Sequence, residues 1–462
     1  MASSALTLVA LLSGCAPGVT IASPTPPRGA ALTSPWDTYH LDAARSGDDG
    51  GEPSFLHLRG AWTAGPLDGA LYAEPLVDGD NVIVATEGDS VYDFDAVSSR
   101  QLWRVTLGRP RTSRFPCGDI KPLGITGTPV IDGGRLYVLA EVEDTPGAYR
   151  FDLANLNPSN GAILYNRDVT PRGMNTDAEQ ERSALAVSAG NVVITWGGLD
   201  GDCGSYHGYV ETVSESSGLE AAQWNDTERD NQGGVWAPSG PAVDAAGNIY
   251  VATGNGSTSD ITQYDDGDSV LQFSPSLSLI SFFAPGPPEA WPALNAADLD
   301  LGSVGPTLLS NGLLFAIGKS GRGYLLKQSD LPNNSEPGGG ELASEPVCAG
   351  SGGAFSGMAA AGDIVFVPCS EGIAAVSIDS ARSFRVVWRS ASGSSAPIIA
   401  GGLVWTLNLF GGTRLYGLDP GTGSALVTLN LPATTAHFAS PSAGDGRLFV
   451  GAGDLLRAFE PQ

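Results

Sequence analysis

Basic side chains are scarce: 24 Lys and Arg stand against 50 Asp and Glu in 462 residues, a formal net charge of −26. So acidic a surface repels phosphate backbones, which argues against nucleic acid as a partner and leaves solubility or cation binding to explain the charge. Only 16% of residues are charged, while Gly and Pro number 62 and 32. That composition disfavours coiled coils and helical bundles and suits short strands joined by tight turns. The four histidines (His40, His57, His207, His437) have no metal-ligand spacing, and H-E-x-x-H is missing. Nor is there a G-x-S-x-G elbow, a P-loop or a G-x-G-x-x-G turn. The absence of C-x-x-C removes the usual signals for zinc and for covalently attached haem. The run Asp265-Asp266-Gly267-Asp268 lacks the EF-hand pattern and reads as a solvated turn.

Long apolar runs are also missing. Ala5 to Leu12 is too short to span a bilayer and reads as the core of an export signal. It ends in Leu12-Ser13-Gly14-Cys15, which resembles the bacterial lipobox, although no Lys or Arg precedes it. The expectation is a signal peptide over 1–15 with Cys15 lipidated, the alternative being a signal without lipid. Residues 16–35 carry Pro24, Pro26, Pro27 and Pro35 and read as a flexible Pro/Ser/Thr tether. Residues 36–462 are then a soluble extracytoplasmic domain, at the cell surface or in the periplasm, touching membrane only through that anchor. Besides Cys15 there are four cysteines, an even number that in an exported chain implies two disulfides with three possible pairings. Cys348–Cys369, near in sequence, and Cys117–Cys203 form the favoured set.

Self-similarity decides the fold. A small or Pro-containing pair, a short apolar strand, a Gly/Asp/Asn turn and an alternating strand recur eight times: EPLVDGDNVIV, TPVIDGGRLYV, ALAVSAGNVVI, GPAVDAAGNIYV, GPTLLSNGLLF, GMAAAGDIVF, APIIAGGLVW and SPSAGDGRLFV. Each is a β-hairpin with its turn chemistry. Several continue into further strands, the last bearing a bulky residue: Trp103, Tyr165, Trp224, Phe282 and Trp388. The pattern predicts an all-β, eight-bladed propeller of four-stranded antiparallel blades. The eighth repeat ends too soon for a fourth strand, so His57–Trp62 is expected to supply it and close the ring.

These repeats resemble the pyrroloquinoline quinone (PQQ) propeller repeat, a family of quinoprotein alcohol dehydrogenases and non-catalytic outer-membrane assembly lipoproteins. On that resemblance, Gly233-Gly234-Val235-Trp236 followed by Ala252-Thr253-Gly254-Asn255-Gly256-Ser257 matches the stretch with a quinone-stacking Trp and a calcium-ligating Asn. Asp202 is the nearest carboxylate to a calcium-binding Glu, Asp298 and Asp300 fall where the family has its catalytic Asp, and Lys319 matches a residue that contacts the quinone oxygens. The resemblance thus implies PQQ at Trp236 and Lys319, calcium at Asp202, Asn255 and Asp300, and Asp300 taking the proton of a substrate hydroxyl. The paired adjacent cysteines of the dehydrogenases are missing; only Cys117 stands there. Two readings follow: a non-catalytic binding or assembly scaffold with an unidentified protein partner, which that absence favours, and a PQQ- and calcium-dependent dehydrogenase acting on an alcohol or sugar hydroxyl.

Overall fold

A computed structural model describes residues 35–462 apart from 228–230 and 334–336. The signal peptide, Cys15 and nearly all of the tether lie outside the described residues. No helix among the described residues is long and apolar enough to cross a membrane.

The chain forms eight four-stranded antiparallel blades in a ring. Blade 1 runs Leu76–Asp78, Asn81–Ala85, Ser90–Asp95 and Gln101–Thr106, and the remaining repeats follow in order, each starting at its innermost strand. Blade 8 is made of Ser442–Gly444, Arg447–Ala452 and Leu455–Pro461, and its outer strand is Leu58–Ala64, paired antiparallel from Leu58↔Pro461 to Ala64↔Leu456. The expected closure by an N-terminal strand is therefore observed. Strand alternation puts apolar side chains between blades, where they are lost from water on both faces.

The bulky fourth-strand residues fasten neighbouring blades. Trp103 Nε1 donates to Pro158 O of the next blade (2.8 Å), Trp388 Nε1 to Pro420 O (2.9 Å), Tyr165 Oη to Glu215 O (3.2 Å) and Trp62 Nε1 to Ala96 O (2.9 Å). Each ring packs over a blade-to-blade seam and its polar tip satisfies a turn carbonyl, the use to which such amphipathic aromatics are suited.

In every blade the first-to-second and third-to-fourth strand turns lie at one end of the ring, here the hairpin mouth. The second-to-third turns and the blade-to-blade connections lie at the other, the connection mouth. A segment with no counterpart in the repeats, Trp36 to Asp49, winds about the axis. Its carbonyls accept N–H groups from inner strands in turn: Trp36 from Val77, Asp37 from Ile131, Ala43 from Val243, Ala44 from Leu308, Ser46 from Ala360 and Gly47 from Ile399. Six blades thereby lose their free inner edge to one peptide. Arg45, fully buried, reaches blade 3 through Leu185 O (3.0 Å), and His40 Nε2 pairs with Ser440 Oγ at the entry to blade 8 (3.2 Å).

Both favoured disulfides are present: Cys117–Cys203 joins the blade 1–2 connection to a turn of blade 3, and Cys348–Cys369 closes a loop at blade 6.

Candidate functional site

Asp300 organises a cluster in the connection mouth. The short helix Trp291–Ala297 ends at Asp298 in the left-handed region (φ 52°), and a 3₁₀ turn, Leu301–Ser303, starts immediately after Asp300. The carboxylate is thus held between two fixed turns, buried, facing blades 4 and 5. Its Oδ2 accepts from Trp236 Nε1 (3.1 Å) and Lys319 Nζ (2.9 Å), and its Oδ1 from the Asn255 backbone N–H (2.8 Å). The Asp300 carbonyl also takes the Lys319 N–H (2.9 Å), which fixes the turn carrying that lysine.

The local sequence explains the closeness. Gly254 N donates to Gly234 O (2.9 Å), and a Cβ at Gly254 would lie 3.2 Å from Trp236 Nε1 and 3.3 Å from Asp300 Cγ. Only glycine there lets Trp236, Asn255 and Asp300 meet without displacement. Lys319 bridges Asp300 and Asp298 (2.8 Å), and its ammonium lies 5.8 Å from the Trp236 ring centre. Burial alone would lower the Lys319 pKa; the adjacent Asp300 and Asp298 outweigh it and raise it.

Trp236, Asn255, Asp298, Asp300 and Lys319 therefore form one connected group. Asp202 stands apart on the exposed turn next to Cys203, accepting from Tyr206 Oη (2.5 Å). It is not hydrogen-bonded to the group but senses it: desolvation on its inner side and the charges of Asp300 and Asp298 raise its pKa, against Tyr206 and Lys319. The Asp265–Asp268 run differs from the solvated turn expected: Asp268 is wholly buried behind Asp300, accepting the Leu301 N–H (2.8 Å).

Sequence reasoning missed an aromatic wall. Phe438, with φ 60°, stacks on Phe355 (5.9 Å), and both contact Phe410, which is 73% exposed. Phe438 also meets Trp236 (6.2 Å) and lies under the Arg182 guanidinium (5.3 Å). Arg182, Asp119 and His437 form a polar patch beside it. These residues come from four separate connections and one blade turn, so no spacing in the sequence announces them.

The donor chemistry suits the groups implied earlier. A half-buried indole with an ammonium over its face can hold a planar anionic ring. Two carboxylates and the Asn255 amide oxygen are hard donors for a cation, although Lys319 competes for Asp300.

Residues 59–269 match the family model described as outer membrane protein assembly factor BamB. No curated protein matches the sequence. Among solved structures, quinohemoprotein alcohol dehydrogenase from Comamonas testosteroni superposes with TM-score 0.68 at 15% identity, covering 93% of this chain and 81% of that one. A europium-containing methanol dehydrogenase gives 0.67 at 14%, covering 92% and 98%. BamB from Moraxella catarrhalis gives 0.56 at 12%, covering 87% and 98%. The PQQ-like resemblance read from the repeats is thus borne out, and at these identities the structural likeness is one of fold.

Proposed function

We propose that this chain is an extracytoplasmic propeller that binds a planar quinone cofactor and a divalent cation beside Trp236, and oxidises a hydroxyl-bearing substrate. The observation that carries this reading is the convergence of Trp236, Asn255 and Lys319 on the single buried carboxylate of Asp300. When bound, such a cofactor supplies the two-electron acceptor. Trp236 offers a stacking face, and Lys319 balances negative charge beside it. Asn255 and Asp300 are oxygen donors for the cation; Asp202, engaged by Tyr206 Oη, would join them only by leaving that partner. Asp300, held by three N–H donors, is placed to take the substrate hydroxyl proton. Two disulfides suit an oxidising compartment outside the cytoplasm, with anchoring through Cys15.

A second reading, the non-catalytic scaffold, is favoured by the wall itself. Phe438 already contacts Trp236, and no pair of adjacent cysteines covers that ring.

Titrating the purified protein with PQQ and calcium while following Trp fluorescence and dye-linked alcohol oxidation separates the two. The first reading expects saturable, calcium-dependent quenching that is lost in Trp236→Ala and Asn255→Ala. Turnover should fall roughly 10²- to 10⁴-fold in Asp300→Asn while binding persists. No binding at tens of micromolar, about −6 kcal/mol, would leave the scaffold.

A further inference from the structure

The seam between blades 1 and 2 holds more carboxyl groups than its surroundings offer partners for. Glu87 and Asp89 lie on the second-to-third turn of blade 1, and Glu141 on the second strand of blade 2; all three are buried, Asp89 with 0% exposure. Glu87 is satisfied: Gly124 N donates to Oε2 (2.7 Å) and Thr126 Oγ1 to Oε1 (2.8 Å). Glu141 Oε1 pairs with Arg111 (3.2 Å), a buried guanidinium lodged between Phe115 and Tyr149. Both oxygens of Asp89 and Oε2 of Glu141 are buried without a hydrogen-bond partner. Three buried carboxylates thus share one contacting cation, and burial pushes all of them above the ordinary carboxylate range, so that losing their protons needs a further positive charge nearby.

Gly124 sits at the centre. Its N–H holds Glu87, its carbonyl takes the Glu141 N–H (3.1 Å), and a Cβ on it would lie 2.6 Å from both Asp89 Oδ1 and the Glu87 carbonyl oxygen. A Cβ on Gly108 would lie 3.5 Å from Asp89 Oδ2. Oxygen atoms that repel one another, with two glycines withholding side chains from the space between them, are the surroundings of a hard cation.

We propose that this seam binds one divalent metal ion, calcium by its all-oxygen donor set, between the Asp89 and Glu141 carboxylates and the Glu87 carbonyl beneath Gly124. The ion supplies the opposing charge that the unpartnered oxygens of Asp89 and Glu141 lack and ties blade 1 to blade 2. Among the described residues only Cys348, Cys369 and Glu371 bring three such donor atoms within 4.8 Å of one another, and those cysteines are bonded to each other. The three seam carboxylates do not all meet at one point, so the Glu87 carbonyl completes the donor set in place of its carboxylate, which Gly124 and Thr126 hold. The site is independent of the cofactor reading.

The protein, stripped with a chelator and dialysed, is titrated with calcium by calorimetry and by thermal unfolding. The expected result is saturable binding in the range of extracellular modules, about 10⁻⁴ to 10⁻³ M, with a rise in Tm. Binding and stabilisation should be lost in Asp89→Asn, weakened in Glu141→Gln and kept in Asn255→Ala, which removes a donor of the other candidate cation only. If Asp89→Asn does not fold, Glu141→Gln carries the test alone. An unresponsive wild type, or an Asp89→Asn variant that still responds, overturns the proposal. So does a more stable, calcium-indifferent Asp89→Asn, which would mean that Asp89 is held as a neutral acid.

Discussion

Replacing Arg45 by Met keeps its apolar stem and removes the guanidinium from the axis. That group donates to Pro241 O (2.9 Å), Thr38 Oγ1 (2.8 Å), Tyr39 O (3.0 Å) and Leu185 O (3.0 Å). The substitution leaves three buried carbonyls and a hydroxyl without a donor. Each costs about 1–3 kcal/mol unsatisfied, and the relief of no longer burying a charge offsets part of the sum. A net loss of about 4 kcal/mol is expected. With an unfolding entropy of about 0.9 kcal/mol/K for a chain of this length, Tm should fall by about 4 °C. Scanning calorimetry reads the shift, with Arg104→Met as the comparison. Arg104 pairs with Asp68 at 2.5 Å but is 43% exposed, so its loss should cost at most about 1 kcal/mol, near 1 °C. Equal shifts in the two variants would refute the view that the axial segment is bonded as tightly as the blades it joins.

Lys319→Met strands the buried Asp300 charge and should destabilise by about 3 kcal/mol; most of that should return in Lys319→Met/Asp300→Asn, and an additive double variant in urea melts would deny the coupling. Opening Cys348–Cys369 by paired Ser substitution releases a 21-residue separation and should cost about 3 kcal/mol, and opening Cys117–Cys203, 86 apart, about 4.5 kcal/mol. Equal costs in denaturant unfolding would show that loop length does not govern them. Burial pushes Glu211 and Glu179 up to about 9, and burial with Asp49 nearby pushes Glu52 up to about 8. These folded-state values exceed the ordinary one near 4.5, so their contribution is full below about pH 4.5 and lost as pH rises towards 9. Tm should therefore fall from pH 5 to pH 9, less steeply in Glu211→Gln, and a flat profile would contradict the burial.

The ring was legible because its signals repeat. The turns Gly79-Asp80, Gly133-Gly134 and Asp445-Gly446 sit between alternating strands, and every blade places at least one Gly at that turn. Closure by Leu58–Ala64 was legible for the same reason, as a missing strand. The axial segment was not, because its bonds to the inner strands run through backbone carbonyls, and a carbonyl leaves no mark on the residue type. The candidate group was legible only in part. Trp236, Asn255, Asp300 and Lys319 lie on neighbouring turns of blades 4 and 5 and the connections entering them, so chain order kept them together. Phe438 comes from the far side of the ring and only closure brings it to Trp236, with Phe410 of blade 7 and Phe355 of the blade 5–6 connection packed against it. The burial of Asp268 was hidden because a D-D-G-D run looks alike whether the last carboxylate faces water or a backbone N–H.

The two mouths are unequal as a consequence of how the strand edges are satisfied. An inner strand ends at the axis with unpaired N–H groups, and in six blades the same segment pairs one of them near the hairpin mouth. Peptide that serves this purpose must cross the axis there, so that mouth is occupied by backbone whose hydrogen bonds are committed. The connection mouth has no such debt, because its turns and connections are held by side chains such as Ser303, Ser356 and Ser395 bonding to neighbouring carbonyls. Side chains can be exchanged without opening a strand edge, which leaves this end free to carry Trp236, Asp300 and Lys319. The described chain begins at the other end, where Trp36 pairs with Val77 beside the first hairpin. The axial segment thus starts on the face opposite the candidate site.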